Sequence, residues 1–324
     1  MPAQDKRDLE LIIDKMVRKN GKEKKVQFTV RLDPARYERR TQKGEKGFFD
    51  KAEKIFIPEG VFKIMMEEMT TQPIQSVDST IEDLYTSILE SQIRTRRALR
   101  QGLKFETAIV PSERYLETHL NTMQNVAVLY VDIAGSTNLG MVLPGDKLAT
   151  LIKIFVQEMS YLVSAYHGYV LKSAGDCVIA YFPARTNLTE GCSEAVNCAR
   201  AMINMTGYAL NPVLAEENYP ELMVKIGIDV GENQIVRLGG QVDLLGYTMS
   251  IAAKMVDLAE PGQIIIGKWV YQALKRPLRR LFKRIKPSPH IWNYRDSREG
   301  KFYGLFLHEE RIKRKDYGKI SRKA

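Results

Sequence analysis

Short apolar strand patterns alternate with amphipathic helical patterns along the middle of the chain, and this alternation restricts the fold more than any other feature. Residues 126–131 (VAVLYV) form a continuous apolar run, which is typical of a strand buried on both faces. Apolar residues at helical spacing follow from Asp146 to Tyr166. Residues 224–230 then alternate with a period of two, and residues 263–267 form another strand pattern. The alternation predicts one α/β domain in this part of the chain.

The composition indicates a folded protein without a membrane span. The 324 residues are 44% hydrophobic and 27% charged, which is enough for two domains or for one domain with long flanks. Lys153 and Glu158 interrupt the most hydrophobic stretch, and the first residues are charged where a signal peptide is apolar. The three cysteines have no CxxC spacing. We therefore expect a cytoplasmic protein with neither a disulfide framework nor a zinc site.

The positive charge is concentrated at one end of the sequence. The net charge is +10, but residues 268–324 hold 18 Lys/Arg against 5 Asp/Glu, whereas residues 126–267 hold 8 against 14. A basic end of this kind either contacts an anionic membrane or nucleic acid, or is a solvated surface. Within it, Leu278, Leu281, Phe282 and Ile285 lie at helical spacing, which predicts an interfacial helix or a helix packed on the domain.

Two aspartates lie at turns beside predicted buried strands. Asp132 ends the strand in YVDIAGST, and Asp176 lies in KSAGDCVIAYF, where residues 169–173 and 178–182 predict a hairpin. Two carboxylates that meet at strand ends, beside the amides of a turn of small residues, suit Mg²⁺ and a phosphate chain. A lone strand-end aspartate is more often a turn former, so the residues alone leave both interpretations open.

Four ordered blocks of sequence resemble the class III nucleotidyl cyclase catalytic domain. They are YVDIAGSTNL, LKSAGDCVIAYF, GIDVGENQIVRLGG and VDLLGYTMSIAAKM, and they cover about residues 121–270. The resemblance implies an α/β (α+β) ferredoxin-like fold with a mixed sheet, and a head-to-tail homodimer with active sites between the subunits. It also implies a lyase reaction that converts ATP to 3′,5′-cyclic AMP and pyrophosphate.

The resemblance assigns roles to individual residues. Asp132 and Asp176, with the backbone carbonyl of Ile133, match the positions that bind two Mg²⁺ (or Mn²⁺) ions per active site, which promote in-line attack of the ribose 3′-hydroxyl. The turn whose amides hold the triphosphate matches Gly135, Ser136 and Thr137.

A second set of positions concerns the base and the transition state. Lys172 and Asp243 match the pair that selects adenine, since Lys can donate to a ring nitrogen while Asp accepts from the exocyclic amine. The family places Asn and Arg seven and eleven residues after that Asp, where they orient the ribose and stabilise the transition state. Here those positions hold Ser250 and Lys254, which share a helix face but lack the Arg fork.

The domain prediction has four parts. Residues 1–79 form an N-terminal regulatory region with strand and helix patterns, including a strand at 26–32 and a helix that opens near Ile57. Residues 80–120 form a connecting helical segment, 121–308 the catalytic domain and 309–324 a basic tail. Within the catalytic domain, Ile291–Tyr294 and Phe302–Leu307 are predicted to form a hairpin.

The function predicted is an adenylate cyclase in intracellular signalling. Three alternatives remain: a cyclase that acts on GTP or a pyrimidine nucleotide, a non-catalytic cyclase-like module that binds nucleotide, and a nucleic-acid-binding protein. Ser250 and Lys254 motivate the non-catalytic alternative, because losing a preorganised donor lowers turnover by a factor on the order of 10²–10³.

Overall fold

The computed structural model describes residues 11–19, 25–32, 37–42, 44–51, 55–59, 81–102, 110–185, 187–296 and 300–309. They divide into two compact units, with a boundary between Thr86 and Ser87. The four domain limits expected from the sequence stay predictions.

The N-terminal unit contains two small antiparallel sheets. The first pairs β1 (Leu11–Lys19) with β2 (Lys25–Leu32), which confirms the predicted strand at 26–32. The second has the order β3 (Tyr37–Gln42), β4 (Glu45–Asp50), β5 (Ile55–Pro58). Ile57 therefore lies in a strand, and most of the helix expected after it lies outside the described residues.

The second unit is built on an eight-stranded sheet. Its path runs β12-β13-β11-β9-β6-β8-β7, and β10 pairs with β9. The strands are β6 (Met123–Ile133), β7 (Tyr169–Ala174), β8 (Cys177–Pro183), β9 (Val224–Leu238), β10 (Gln241–Leu245), β11 (Gln263–Gly267), β12 (Lys283–Ile285) and β13 (Leu305–Glu309).

Nine described helices accompany these strands. They are α1 (Ile81–Gln101), α2 (Val110–Thr118), α3 (Ser136–Val142), α4 (Gly145–Ala165), α5 (Leu188–Met205), α6 (Asn211–Glu216), α7 (Tyr247–Leu258), α8 (Lys268–Ala273) and α9 (Arg276–Arg279). A π-helical turn (Thr206–Leu210) joins α5 to α6.

The centre of the sheet has ferredoxin-like topology, as expected. The chain order β6-α4-β7-β8-α5-β9 and the sheet order β9-β6-β8-β7 are those of a β-α-β-β-α-β unit. Neighbouring strands among these four are antiparallel, and β11 adds to β9 in parallel, so the sheet is mixed.

Both faces of the central strands are covered by helices. The α4 and α5 helices pack against β8, while α7 packs against β6 and β9. The six residues from Val126 to Val131 are almost all completely buried, which explains their continuous apolar run. A Cβ atom at Gly227 would overlap the carbonyl oxygen of Ala252, so glycine there lets α7 lie directly on β9.

The α4 helix is long and apolar enough to span a membrane by length and composition, and half of its most apolar window is buried inside the fold. Its buried residues include Leu151, Phe155, Met159 and Val163, spaced by four residues. They form one face, so packing against the sheet explains the composition of α4.

The helix predicted from Leu278 to Ile285 in the basic end is wrong. The segment from Leu278 to Ile285 is not one helix, since α9 ends at Arg279 and β12 begins at Lys283 as an edge strand. Phe282 is nevertheless buried, in line with packing on the domain. Contact with a membrane or nucleic acid stays a prediction.

The hairpin predicted between Ile291 and Leu307 is confirmed in part. Its arms pair through an antiparallel bridge between Arg295 and Phe302, while β13 pairs with β11 and β12. The indole of Trp292 donates to the carbonyl of Tyr303, 3.0 Å away, and anchors this hairpin.

A buried carboxyl lies within the sheet between β9 and the segment that leads to β13. Asp229 is completely buried and accepts a hydrogen bond from the hydroxyl of Tyr303 at 2.7 Å. Its Oδ2 has no hydrogen-bond partner among the residues that the structure describes. Burial raises the pKa of Asp229 to about 7, although hydrogen bonds from Tyr303 and the Val230 backbone oppose the shift.

This carboxyl makes the free energy of unfolding depend on pH. An unfolded Asp has a pKa near 4, so between about pH 4 and 7 the folded state binds more protons, and stability falls as pH rises. As the pH rises from 4.5 to 8, we expect the free energy of unfolding of Asp229→Asn to increase relative to that of the wild type by up to about 4 kcal/mol, because Asn does not ionise. Urea denaturation at both pH values measures the difference. The exposed Asp257→Asn is the control, and equal pH dependence in Asp229→Asn and wild type would contradict the prediction.

Candidate active site

The two aspartates singled out in the sequence lie together at one end of the central strands. Asp132 is the penultimate residue of β6 and pairs in register with Cys177, the first residue of β8. Asp176 directly precedes Cys177 in the β7–β8 turn, where Gly175 has a φ of +62°. The hairpin predicted around Asp176 is confirmed, and its register brings both carboxyls to one site.

The two carboxyls interact unfavourably when both are ionised. The pKa of Asp132 is raised to about 6, first by burial and then by the nearby Asp176. The ammonium of Lys225 opposes this shift from 3.6 Å away. The site therefore holds more negative charge than its own cation neutralises.

Lys225 is a site residue that the sequence reasoning missed. It alternates with apolar residues in β9, as a solvated strand residue does, yet it pairs in register with Asp132 and its side chain is only 21% exposed. Register is a property of the paired sheet and not of the strand's own sequence. The register could have been deduced from the exact ends of β6 and β9, but the sequence patterns do not define these ends.

The carboxyl of Asp176 is suited to a cation. Its Oδ2 is buried and has no hydrogen-bond partner in the described part of the chain, which marks an acceptor that lacks a donor or a metal. The described residues contain no cluster of three or more His, Cys, Asp or Glu that would enclose a metal. Two carboxylates and a carbonyl fit Mg²⁺ bound together with substrate phosphates. The role of the Ile133 carbonyl stays a prediction.

A tight turn follows these ligand positions. Gly135 has a φ of +72° and precedes α3, which begins at Ser136 and continues through Thr137. The amide of Ala134 donates to the carbonyl of Met223 at 2.8 Å, so the turn is tied to the start of β9. The three residues predicted to hold the triphosphate thus lie next to the carboxylates.

The predicted base-selecting pair forms an ion pair. The Nζ of Lys172, in β7, lies 2.5 Å from Oδ2 of Asp243, in β10, although the two are 71 positions apart in sequence. Asp243 Oδ1 also accepts from the amide of Leu244 at 2.9 Å. Both side chains keep part of their surface exposed, and a Lys has donors left for a ligand.

Ser250 and Lys254 are exposed on α7, one turn apart as predicted. Lys254 Nζ lies 3.3 Å from Oδ2 of Asp257, an exposed pair that contributes little to stability. The Lys254 ammonium can therefore exchange this partner for a phosphate.

No hydrogen bond or ion pair joins Asp132 or Asp176 to the second set (Lys172, Asp243, Ser250 and Lys254) within the described ranges. The pKa of Tyr130, in β6, is raised to about 12 by burial and then by Cys177 and Asp243.

Comparison with known proteins agrees with this arrangement. The family model for the adenylate and guanylate cyclase catalytic domain matches residues 118–288. A cytidylate cyclase of Escherichia coli is 26% identical over 177 residues, covering 51% of this chain and 38% of that protein. A uridylate cyclase of Burkholderia cepacia is 26% identical over 163 residues, covering 48% of this chain and 69% of that protein.

The chain spans about two fifths of the length of the first curated relatives that it matches. Among solved structures, the adenylyl cyclase CyaB from P. aeruginosa is similar with a TM-score of 0.48 and 20% identity, covering 60% of this chain and 97% of that one. Because the family model matches more than half of the sequence, this chain belongs to the class III adenylate and guanylate cyclase family.

Proposed function

We propose that this protein is a cytoplasmic adenylate cyclase that converts ATP to 3′,5′-cyclic AMP and pyrophosphate. The ion pair between Lys172 and Asp243 carries the choice of base, and the adjacent carboxyls of Asp132 and Asp176 support the choice of reaction. Family membership supports a nucleotidyl cyclase in general.

The residues near Asp132 divide the work of the reaction. Asp132 and Asp176 would hold Mg²⁺ or Mn²⁺, which when bound lowers the pKa of the ribose 3′-hydroxyl and neutralises phosphate charge. The amides of residues 135–137 lie at a tight turn and would hold the phosphate chain, since backbone N–H groups favour anions. Lys225 would act as a further cation beside the same phosphates, since it already neutralises part of the charge on Asp132.

The base-selecting pair distinguishes bases by the donors and acceptors of their Watson–Crick edge. Lys172 offers donors and Asp243 offers acceptors, which complements a ring nitrogen acceptor beside an exocyclic amine. Adenine has this edge, and so does cytosine, whereas guanine and uracil present a ring N–H beside a carbonyl. A cytidylate cyclase is therefore the second candidate function, and it is favoured by the similarity to proteins named cytidylate cyclase.

A nucleotide panel tests this assignment. We expect ATP to give 3′,5′-cyclic AMP and pyrophosphate with Mg²⁺ or Mn²⁺, and ATP or CTP to react at least about tenfold faster than GTP or UTP, because one lost hydrogen bond to the base costs about 1.4 kcal/mol. Products are identified by mass spectrometry. Asp176→Asn, which removes a cation ligand at an exposed turn, is the inactive control.

The outcomes of the panel separate the candidates. CTP as the preferred substrate would replace the adenylate assignment with the second one, and preference for GTP or UTP would contradict both. Binding of nucleotide without any product would show a non-catalytic module.

We further propose a head-to-tail homodimer with a site shared between subunits. The support is that no hydrogen bond or ion pair joins the two residue sets in the described part of one chain, whereas Lys172 pairs with Asp243 inside the second set. In such a dimer Asp132 and Asp176 of one subunit face Lys172, Asp243, Ser250 and Lys254 of the other.

Subunit mixing tests the shared site. Inactive Asp132→Ala and inactive Lys254→Ala chains, mixed and allowed to exchange, should recover up to about a quarter of wild-type activity, since half of the dimers then contain one intact site. A mixture of Asp132→Ala with Asp176→Ala is the matched control and should stay inactive, because both changes fall in the same half-site. Recovery in neither mixture, with exchange verified, would contradict the arrangement.

The substituted pair on α7 gives a separate expectation. Replacing Ser250 by Asn and Lys254 by Arg should raise kcat for ATP by at least about tenfold with little change in KM, because donors aimed at transition-state charge act on turnover. Initial rates for the two single variants and the double variant measure the effect. The two changes should be non-additive, since the residues lie one helical turn apart. A lower kcat in the double variant would indicate a pair adapted to a different substrate geometry.

A further inference from the structure

The α1 helix is attached to α4 through an ion pair with a buried carboxylate. The guanidinium of Arg94 forks onto Glu158 of α4, with Nε–Oε1 and Nη2–Oε2 distances of 2.9 and 2.7 Å. The Glu158 side chain is only 4% exposed, so without Arg94 it would be an unpaired buried carboxylate. Arg96 and Arg100 add exposed ion pairs to Glu216 and Glu217.

A second contact of α1 reaches the π-helical turn between α5 and α6. Gln92 Nε2 donates to the carbonyl oxygen of Tyr208 at 2.8 Å. This hydrogen bond ties α1 to the π-helical turn.

Asn211, which follows the π-helical turn, contacts the segment just before β9. The side-chain amide of Asn211 brackets Leu222: its Nδ2 donates to the Leu222 carbonyl and its Oδ1 accepts from the Leu222 amide, both at 2.8 Å. This pair of hydrogen bonds fixes the position of residue 222 relative to the π-helical turn. Asn211 is thus the link between the turn that α1 contacts and the strand that carries Lys225.

The start of β9 in turn holds the active-site turn. Met223, which follows the bracketed residue, accepts a hydrogen bond from the amide of Ala134, two residues after Asp132. Two positions further along β9, Lys225 lies against Asp132 itself. A shift of residue 222 would therefore move both the phosphate-binding turn and the cation beside Asp132.

We propose that Asn211 is a positioning residue through which α1 controls the catalytic site. The hydrogen bond from Gln92 to Tyr208 fixes the π-helical turn, and the hydrogen bonds between Asn211 and Leu222 fix the segment before β9. Together they hold Ala134 and Lys225 in the geometry that catalysis requires. Two buried hydroxyls of α1, those of Ser91 and Thr95, lack hydrogen-bond partners within the described residues. This weakens the packing of α1 on the domain and allows its position to change. The inference rests on the proposed cyclase activity only for its kinetic readout.

Kinetics test the positioning role. Asn211→Ala should lower kcat by about tenfold while KM for the nucleotide changes by less than about twofold, because a displaced turn lowers the fraction of bound substrate in attack geometry. Asn204→Ala is the matched control, since its amide donates to the Arg200 carbonyl within the same helix, α5. An equal loss in both variants, or an unchanged kcat in a folded Asn211→Ala protein, would overturn the role.

Hydrogen exchange tests the link to α1 without any turnover. Gln92→Leu in the full chain should speed exchange of the Leu222 and Ala134 amides by about tenfold or more, while the exposed Arg100→Gln should leave them unchanged. Gln92→Leu and Asn211→Ala should also be non-additive in kcat. Unchanged exchange at both amides in Gln92→Leu overturns the link. If the wild type cyclises no nucleotide, the proposed function fails, and the exchange result still decides the link.

Discussion

The burial of β6 on both faces is the constraint on which the rest of the structure depends. An apolar strand of this kind has no face for water, so helices must cover it on both sides. The α4 and α5 helices cover one side of the sheet, and α7 covers the other by lying directly on Gly227. The buried apolar run of β6 ends at Val131, and the next residue, Asp132, brings a carboxyl to the end of the strand. The position of the site is thus a consequence of how the core is closed.

At the end of β6, the folded chain holds two carboxyls that repel each other when both are ionised. Two carboxyls lie together in a half-buried position, and Lys225 is the cation that meets them there. Burial and the nearby Asp176 raise the pKa of Asp132, so both disfavour its ionised state. Under the proposed function, a divalent cation would remove this repulsion, and the phosphate groups that accompany it would meet the amides of the turn after Ile133. Substrate affinity would then depend on the geometry of β6, β8 and β9, which sets the distance between the two carboxyls.

The sequence predicted the elements that have a strong period of their own. The central strands, the two helices on one face and the hairpin at Asp176 follow from local patterns, and the four blocks indicate which strand ends meet. The sequence analysis missed Lys225 and Asn211 because their roles arise from strand register and from side-chain hydrogen bonds to a residue eleven positions away, which no local pattern encodes. The segment at residues 278–285 was misassigned for a related reason: apolar residues at helical spacing also fit a short helix, a turn and an edge strand in succession.

Under the proposed function, the choice of base is separate from the chemistry of cyclisation. Lys172 and Asp243 are held by β7 and β10, and no described hydrogen bond or ion pair joins either of them to Asp132 or to the turn at Gly135. A change of base would then require only a change in two side chains and in the room beside them, while the carboxyls, the turn and Lys225 would serve any nucleoside triphosphate. The residues that identify the family would therefore say least about the substrate of this protein, and the pair on β7 and β10 would say most.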